Sequence, residues 1–129
     1  MDAGMAGGNA LVTGTFEYVS QADGTGPLLA DVAYPAGGRA LPLLVVMHGY
    51  GGGREAVAQD LRELSARGVF AVAPDMRGRG GSSGLWDSGG LDVHDILDGV
   101  LAAVARHPGE VDARNLNIVG YSGGGGNAI

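Results

Sequence analysis

The stretch "NIVGYSGGGGNAI", Asn117 to Ile129, decides how this sequence is read. Leu116 to Gly120 has the apolar, β-branched character of a buried strand. It runs into Gly120-Tyr121-Ser122-Gly123-Gly124, which fits G-x-S-x-G. The pattern alone is weak in a chain with 26 glycines, and Gly80-Gly81-Ser82-Ser83-Gly84 fits it too. Context separates the two. A nucleophile on a sharp strand-to-helix corner needs a buried strand before the serine and a helix after it. Ser122 has the strand, and the glycines that follow let a helix start close against it. Ser82 has neither. A helix opening at Gly123 turns its free amides toward the serine.

Working outward, the preceding elements form a regular alternation. Thr15–Ser20 and Leu28–Tyr34 read as strands joined by turn residues, paired antiparallel. Leu43–His48 is apolar without alternation, as expected of a strand covered on both faces. A helical pattern follows with Val57, Leu61 and Leu64 on one face, closed by Gly68. Val69–Pro74 is another buried strand. Apolar residues then recur at Leu91, Val93, Ile96, Leu97, Val100, Leu101 and Val104, which is helical spacing. The order β-β-β-α-β-α-β-(α) implies an α/β sheet, mostly parallel, with antiparallel N-terminal strands. One domain is expected over residues 15–129, with residues 1–14 a flexible tail.

His48-Gly49-Tyr50-Gly51-Gly52 sits at the carboxyl end of the third strand, where ligands of open α/β sheets bind. A glycine-rich loop there can turn a backbone amide toward a developing oxyanion. The Tyr50 and Gly123 amides are the candidate donors, and Ser122 is the candidate nucleophile.

"VVMHGYGG", "VAPDMRGRGGSSG" and "NIVGYSGGGG", in that order and spacing, resemble the α/β-hydrolase superfamily. "HGYGG" and "DMRGRGGSS" are similar to acetyl xylan esterase and related deacetylases. The serine motif also resembles dienelactone-hydrolase-like esterases and prolyl oligopeptidase-type domains. The resemblance implies a serine hydrolase of the carboxylic ester or deacetylase type, acting through an acyl-enzyme at Ser122. Tyr50 and Gly123 would line its oxyanion hole, and no metal or organic cofactor is needed. A prolyl oligopeptidase-like peptidase is the alternative within the superfamily. The implied chain order is serine, acid, histidine, yet His48, His94 and His107 all precede Ser122. The expectation is therefore an N-terminal part of the fold, truncated after the nucleophile elbow, with the acid and histidine downstream and the chain alone inactive.

Other readings stand beside these. His48, at a strand end, is expected to shape its loop rather than move protons. Asp75 is expected to anchor the following loop or pair with Arg77 or Arg79, and His94 and Asp95 to be solvated or capping. Trp86 is a pocket-lining or a packing residue. Gly51-Gly52-Gly53-Arg54-Glu55-Ala56 fits G-x-G-x-x-A, with Asp75 near the ribose-binding position, so a Rossmann-type dinucleotide-binding domain is a rival reading. A non-catalytic hydrolase-fold binding module is another.

Composition narrows the partners. The net charge is -6, and no basic stripe suits a phosphate backbone, so nucleic acid is disfavoured. Cysteine is absent, which excludes disulfides and thiolate metal sites. The longest apolar run is too short to span a bilayer. "MDAGMAGGNA" does not read as a signal peptide, which gives a cytoplasmic expectation. The implied partner is a small-molecule ester or peptide substrate, with the oligomeric state open.

Overall fold

The computed structural model describes residues 10–49, 51–86 and 90–121. Five strands and two helices form an α/β layer: β1 (Leu11–Tyr18), β2 (Leu28–Pro35), β3 (Leu41–Met47), α1 (Ala58–Ser65), β4 (Phe70–Pro74), α2 (Leu91–Arg106) and β5 (Val111–Gly120). A short 3-10 turn, Arg54–Val57, leads into α1. The sheet order is β1-β2-β4-β3-β5. β1 pairs antiparallel with β2, and β2 antiparallel with β4, whereas β3 runs parallel to both β4 and β5. The expected antiparallel opening and parallel remainder are both present.

β3 and β4 are apolar on both faces because a helix covers each. Phe70 and Val72 of β4 join Leu43, Val45 and Met47 of β3 in one core, packed on Ile96, Val100 and Ala103 of α2. The alternate residues Ala71, Ala73 and Val46 join Ala33 on the other face, beneath Val57 and Leu61. Side chains of a strand alternate faces, so this split follows from period two. The α1 face carries alanines where the α2 face carries large side chains. Gly68 has φ +104°, as the expected C-terminal stop of α1 requires.

Two boundaries and one buried face differ from expectation. β1 begins at Leu11, so residues 11–14 belong to the strand and not to a tail, and Leu11 pairs with Pro35 at its far end. β5 begins at Val111, inside a segment read as loop. Its register jumps from Asp112 opposite Pro42 to Leu116 opposite Leu43, and that irregularity hides the first pairs from any periodic pattern. The apolar stripe of α2 is also wider than the surface it packs on. Ile96 and Val100 are buried, whereas Leu97 and Leu101 are 54% and 56% exposed. Asp92, Asp95 and Gly99 share the buried face instead.

Gly99 has a steric reason. A Cβ there would lie 2.9 Å from the Cβ of Pro74 and 2.9 Å from Cζ of Tyr18. α2 therefore approaches the sheet more closely than any side chain would permit.

Candidate active site

The carboxyl ends of β3, β4 and β5 lie side by side at one edge of the sheet. Gly120, the last residue of β5, sits opposite Met47, the last of β3. The next amide, Tyr121 N–H, donates to the Met47 carbonyl at 3.1 Å. The Tyr121 phenol is hydrogen-bonded to Asp60 of α1, which pushes its pKa above the ordinary value, and burial adds to the rise. Tyr50, Ser122 and Gly123 lie outside the described residues. The structure does bring together the segments that lead into them: Ser122 follows directly on Tyr121, and Tyr50 follows His48 and Gly49 beyond β3.

His48 is fully buried. Its Nε2 accepts from the Met76 amide at 2.9 Å, and its Nδ1 is 2.6 Å from the Gly49 carbonyl. An N–H donor at Nε2 makes that nitrogen the acceptor, so the proton sits on Nδ1 and is donated to Gly49. Both ring nitrogens are used, which fits loop shaping and leaves no lone pair for a substrate proton.

Asp75 is also fully buried. Oδ1 accepts from the Arg54 amide at 2.7 Å. Oδ2 accepts from Arg54 Nη1 at 2.6 Å and from Ser82 Oγ at 2.8 Å. It does anchor the following loop, but its ion-pair partner is Arg54 and not Arg77 or Arg79. Arg54 Nε also donates to Asp31 Oδ1 at 3.0 Å. Burial works against the Arg54 charge, but the Asp75 and Asp31 carboxylates outweigh it and hold the pKa above the usual arginine value. Asp75 is fully buried and already accepts three hydrogen bonds, so its carboxylate is not presented to a ribose, which removes the key residue of the dinucleotide reading.

Ser82 is likewise committed. Its hydroxyl donates to Asp75 while accepting from the Leu29 amide at 2.9 Å, tying the loop to β2. The second G-x-S-x-G match is thus a structural serine.

The glycines between these anchors allow backbones to touch. A Cβ on Gly53 would lie 2.9 Å from the Cα and N of Gly80. Gly80 has φ +59°, and a Cβ there would lie 2.5 Å from Asp75 Oδ1. The loop after β3 and the loop after β4 therefore pack main chain to main chain.

Arg77 takes the carboxylate of Asp95, which sequence reasoning left solvated or capping. Its Nε donates to Asp95 Oδ2 at 2.7 Å and its Nη2 to Asp95 Oδ1 at 2.8 Å, a bidentate pair with a fully buried aspartate. Nη1 donates to Asp23 Oδ2 at 2.8 Å. These hydrogen bonds, Asp95 first, hold the Arg77 pKa above its usual value. Asp95 is neither solvated nor a cap, because Arg77 draws it under α2. His94, its neighbour, is exposed as expected. Trp86 is half exposed, its Nε1 donates to the Gly78 carbonyl at 2.9 Å, and the Arg79 guanidinium lies 4.7 Å from its ring centroid. Those contacts fit a loop anchor.

His107 packs at the other edge of the sheet, against Tyr34 and the first residue of β4, Phe70. Arg54 is the residue that sequence reasoning missed. Its signal was a cation at the start of a helical segment, where the macrodipole disfavours positive charge unless a carboxylate is near. Among the described residues, no helix is long and apolar enough to cross a membrane.

Residues 23–108 match the family described as X-Pro dipeptidyl-peptidase (S15 family). The chain belongs to that family. The matched span of this S15-family chain holds the His48 loop, Arg54, Asp75 and Ser82, and ends before Ser122. No curated protein sequence matches it. Among solved structures it is similar to a protein described as a dienelactone hydrolase from Klebsiella pneumoniae, with TM-score 0.69, 27% identity, and coverage of 90% of this chain and 52% of that one. An acetyl xylan esterase from a Paenibacillus strain has TM-score 0.64 and 27% identity, covering 92% of this chain and 43% of that one. An esterase from Pyrobaculum calidifontis has TM-score 0.70 and 25% identity, covering 91% and 37%. The S15-family chain has the α/β-hydrolase fold and spans about half or less of these structures.

Proposed function

We propose that this S15-family chain carries the nucleophile and oxyanion-stabilising part of a serine hydrolase acting on carboxylic esters through an acyl-enzyme at Ser122. The observation that carries the reading is the pairing of β5 with β3. Gly120 lies opposite Met47, and Tyr121 is hydrogen-bonded to it. A serine one residue later and a glycine loop that starts two residues past Met47 are then drawn from adjacent strand ends. Ser122 attacks the acyl carbon, and its proton passes to a histidine oriented by a carboxylate. The Tyr50 and Gly123 amides hold the oxyanion of the tetrahedral intermediate, and water releases the acyl group.

The histidine and carboxylate are sought in the part of the fold that the longer structures have outside the segment shared with this chain. His48 has both nitrogens occupied, and His107 is a strand's length away at the opposite sheet edge. Esterase chemistry is favoured by the resemblance of "HGYGG" and "DMRGRGGSS" to deacetylases and by esterase relatives at 25% and 27% identity. The family match favours the second reading, a peptidase releasing dipeptides ending in proline.

In the full-length protein, Ser122→Ala should abolish labelling by a fluorophosphonate and lower hydrolysis of aryl acetates by about 10⁴-fold or more. Ser82→Ala should keep the label while costing about 1–3 kcal/mol of stability, because it strips buried Asp75 and Leu29 of a partner. Comparing aryl acetates with an Ala-Pro anilide separates esterase from peptidase. Labelling lost in the Ser82 variant and kept in the Ser122 variant would reverse the assignment.

A further inference from the structure

The segment between His48 and Arg54 holds Tyr50 and four glycines, Gly49, Gly51, Gly52 and Gly53. Glycines have no side chains to fix a loop from within and the greatest freedom to move it. Its position has to be set from the ends. Each end is tied to one of two successive residues just past β4, His48 to Met76 and Arg54 to Asp75. His48 Nε2 accepts from the Met76 amide at 2.9 Å, and the Arg54 amide donates to Asp75 Oδ1 at 2.7 Å. The Arg54 side chain doubles the second tie, with Nη1 donating to Asp75 Oδ2 at 2.6 Å and to the Gly80 carbonyl at 2.5 Å, and Nε reaching Asp31 on β2 at 3.0 Å. Gly53 then rests directly on Gly80.

We propose that Arg54 and Asp75 are positioning residues for catalysis: their ion pair pins the Arg54 end of the loop that carries Tyr50, the proposed oxyanion donor, to the loop after β4. This rests on the esterase reading of Ser122 and Tyr50 given above. The chemistry explains why an arginine is used. Three acceptors from three segments, Asp31, Asp75 and Gly80, are gripped by one planar guanidinium. A lysine ammonium is a point charge on a flexible stem and cannot hold that fork. Every contact of the grip is to the protein itself, so its effect falls on the transition state, where the amide meets a full oxyanion. A misplacement of about 1 Å at such a donor is enough to cost about 100-fold in rate.

The test uses the full-length protein with an aryl acetate as substrate, comparing wild type, Arg54→Lys, Arg54→Gln and Ser122→Ala. Arg54→Lys keeps a positive charge beside Asp75, so it is the variant expected to remain folded, and Arg54→Gln is the more severe one. The expected result is a kcat lowered about 10-fold in Arg54→Lys and about 100-fold in Arg54→Gln. KM should stay within about twofold, since ground-state binding does not use the pin. The melting temperature of Arg54→Lys should change by only a few degrees. A kcat within about twofold of wild type in both variants, with turnover still dependent on Ser122, would overturn the positioning role and leave the esterase reading standing. A loss of kcat that merely tracks the unfolded fraction would also overturn it, by showing that the pair serves stability alone. Turnover that survives Ser122→Ala would remove the nucleophile assignment and this inference with it.

Discussion

A single guanidinium decides much of what the loops around the candidate site do. Arg77 binds Asp95 bidentately below α2 and reaches Asp23 in the turn between β1 and β2. The hydrogen bond from Arg77 holds the Asp23 carboxyl well below its ordinary range. A carboxyl whose pKa is lower in the folded state stabilises the fold above its unfolded value, about 3.9, and loses that contribution as pH falls through the folded value. Asp23→Asn should therefore lower the melting temperature at pH 7, and the gap to wild type should close below about pH 4. Thermal melts of both proteins from pH 7 to pH 2 measure this. Asp23 is more than a third exposed, so the neutral-pH difference should be small. A gap that widens toward acid would mean that Asp23 is not ion-paired in solution. The tie was hidden in the sequence because Asp23 and Arg77 are 54 residues apart. Arg54 and Asp75 are 21 residues apart, and the sequence pointed to Arg77 or Arg79 as the partner of Asp75 instead.

At the scale of elements, hydrophobic period gave the helices and strands, and contact surfaces decided which side chains they bury. α2 was legible from its apolar recurrence, but its buried face is built from Asp92, Asp95, Ile96, Gly99, Val100 and Ala103. A helix seated this tightly needs Gly99, despite the roughly 1 kcal/mol that glycine costs relative to alanine in a helix. Gly99→Ala is accordingly expected to destabilise the protein by about 1–3 kcal/mol, because overpacking against Pro74 and Tyr18 outweighs the gain in helix propensity. Chemical denaturation of the variant gives the sign directly. A more stable Gly99→Ala would show that α2 can lift off β4 without cost. The β1 boundary was missed for a related reason. Leu11 to Gly14 form strand only because β2 offers partners as far as Pro35.

For the molecule as a whole, the open side lies along β5. Among the described residues β5 pairs only with β3, and Leu116 and Ile118 are 52% and 45% exposed. Leu97 and Leu101 of α2 are exposed as well, and an apolar depression of about 160 Å³ lies between that helix and β5. An edge strand with apolar side chains is a template for unwanted pairing. The 129-residue chain by itself should self-associate as its concentration rises, and Ile118→Lys should shift it toward monomer, since an edge lysine opposes pairing. Sedimentation at several concentrations tests this. The same chain should show no aryl ester turnover above a Ser122→Ala control, because His48 has both ring nitrogens engaged, His107 packs against Tyr34 and Phe70, and exposed His94 has no carboxylate to orient it among the described residues. A monomeric wild-type chain with serine-dependent turnover would contradict both expectations.

The sequence by itself determined the element order, the mixed sheet and the superfamily. These follow from period, turn chemistry and short motifs, which are properties of neighbouring residues. It also set Ser122 apart from Ser82 as an expectation, and the structure shows Ser82 committed to Asp75 and β2. Which carboxylate meets which guanidinium was decided only by the tertiary structure. Ion pairing depends on distances between segments far apart in the chain, and no local pattern encodes them. So Asp75 turned from Arg77 to Arg54, Asp95 left the solvent for Arg77, and Ser82 became a strut between Asp75 and β2. The glycines after β3 and β4 had looked like loop chemistry in general. Once the two loops were brought together, Gly53 and Gly80 had one specific reason: two backbones meet there with no room for a side chain.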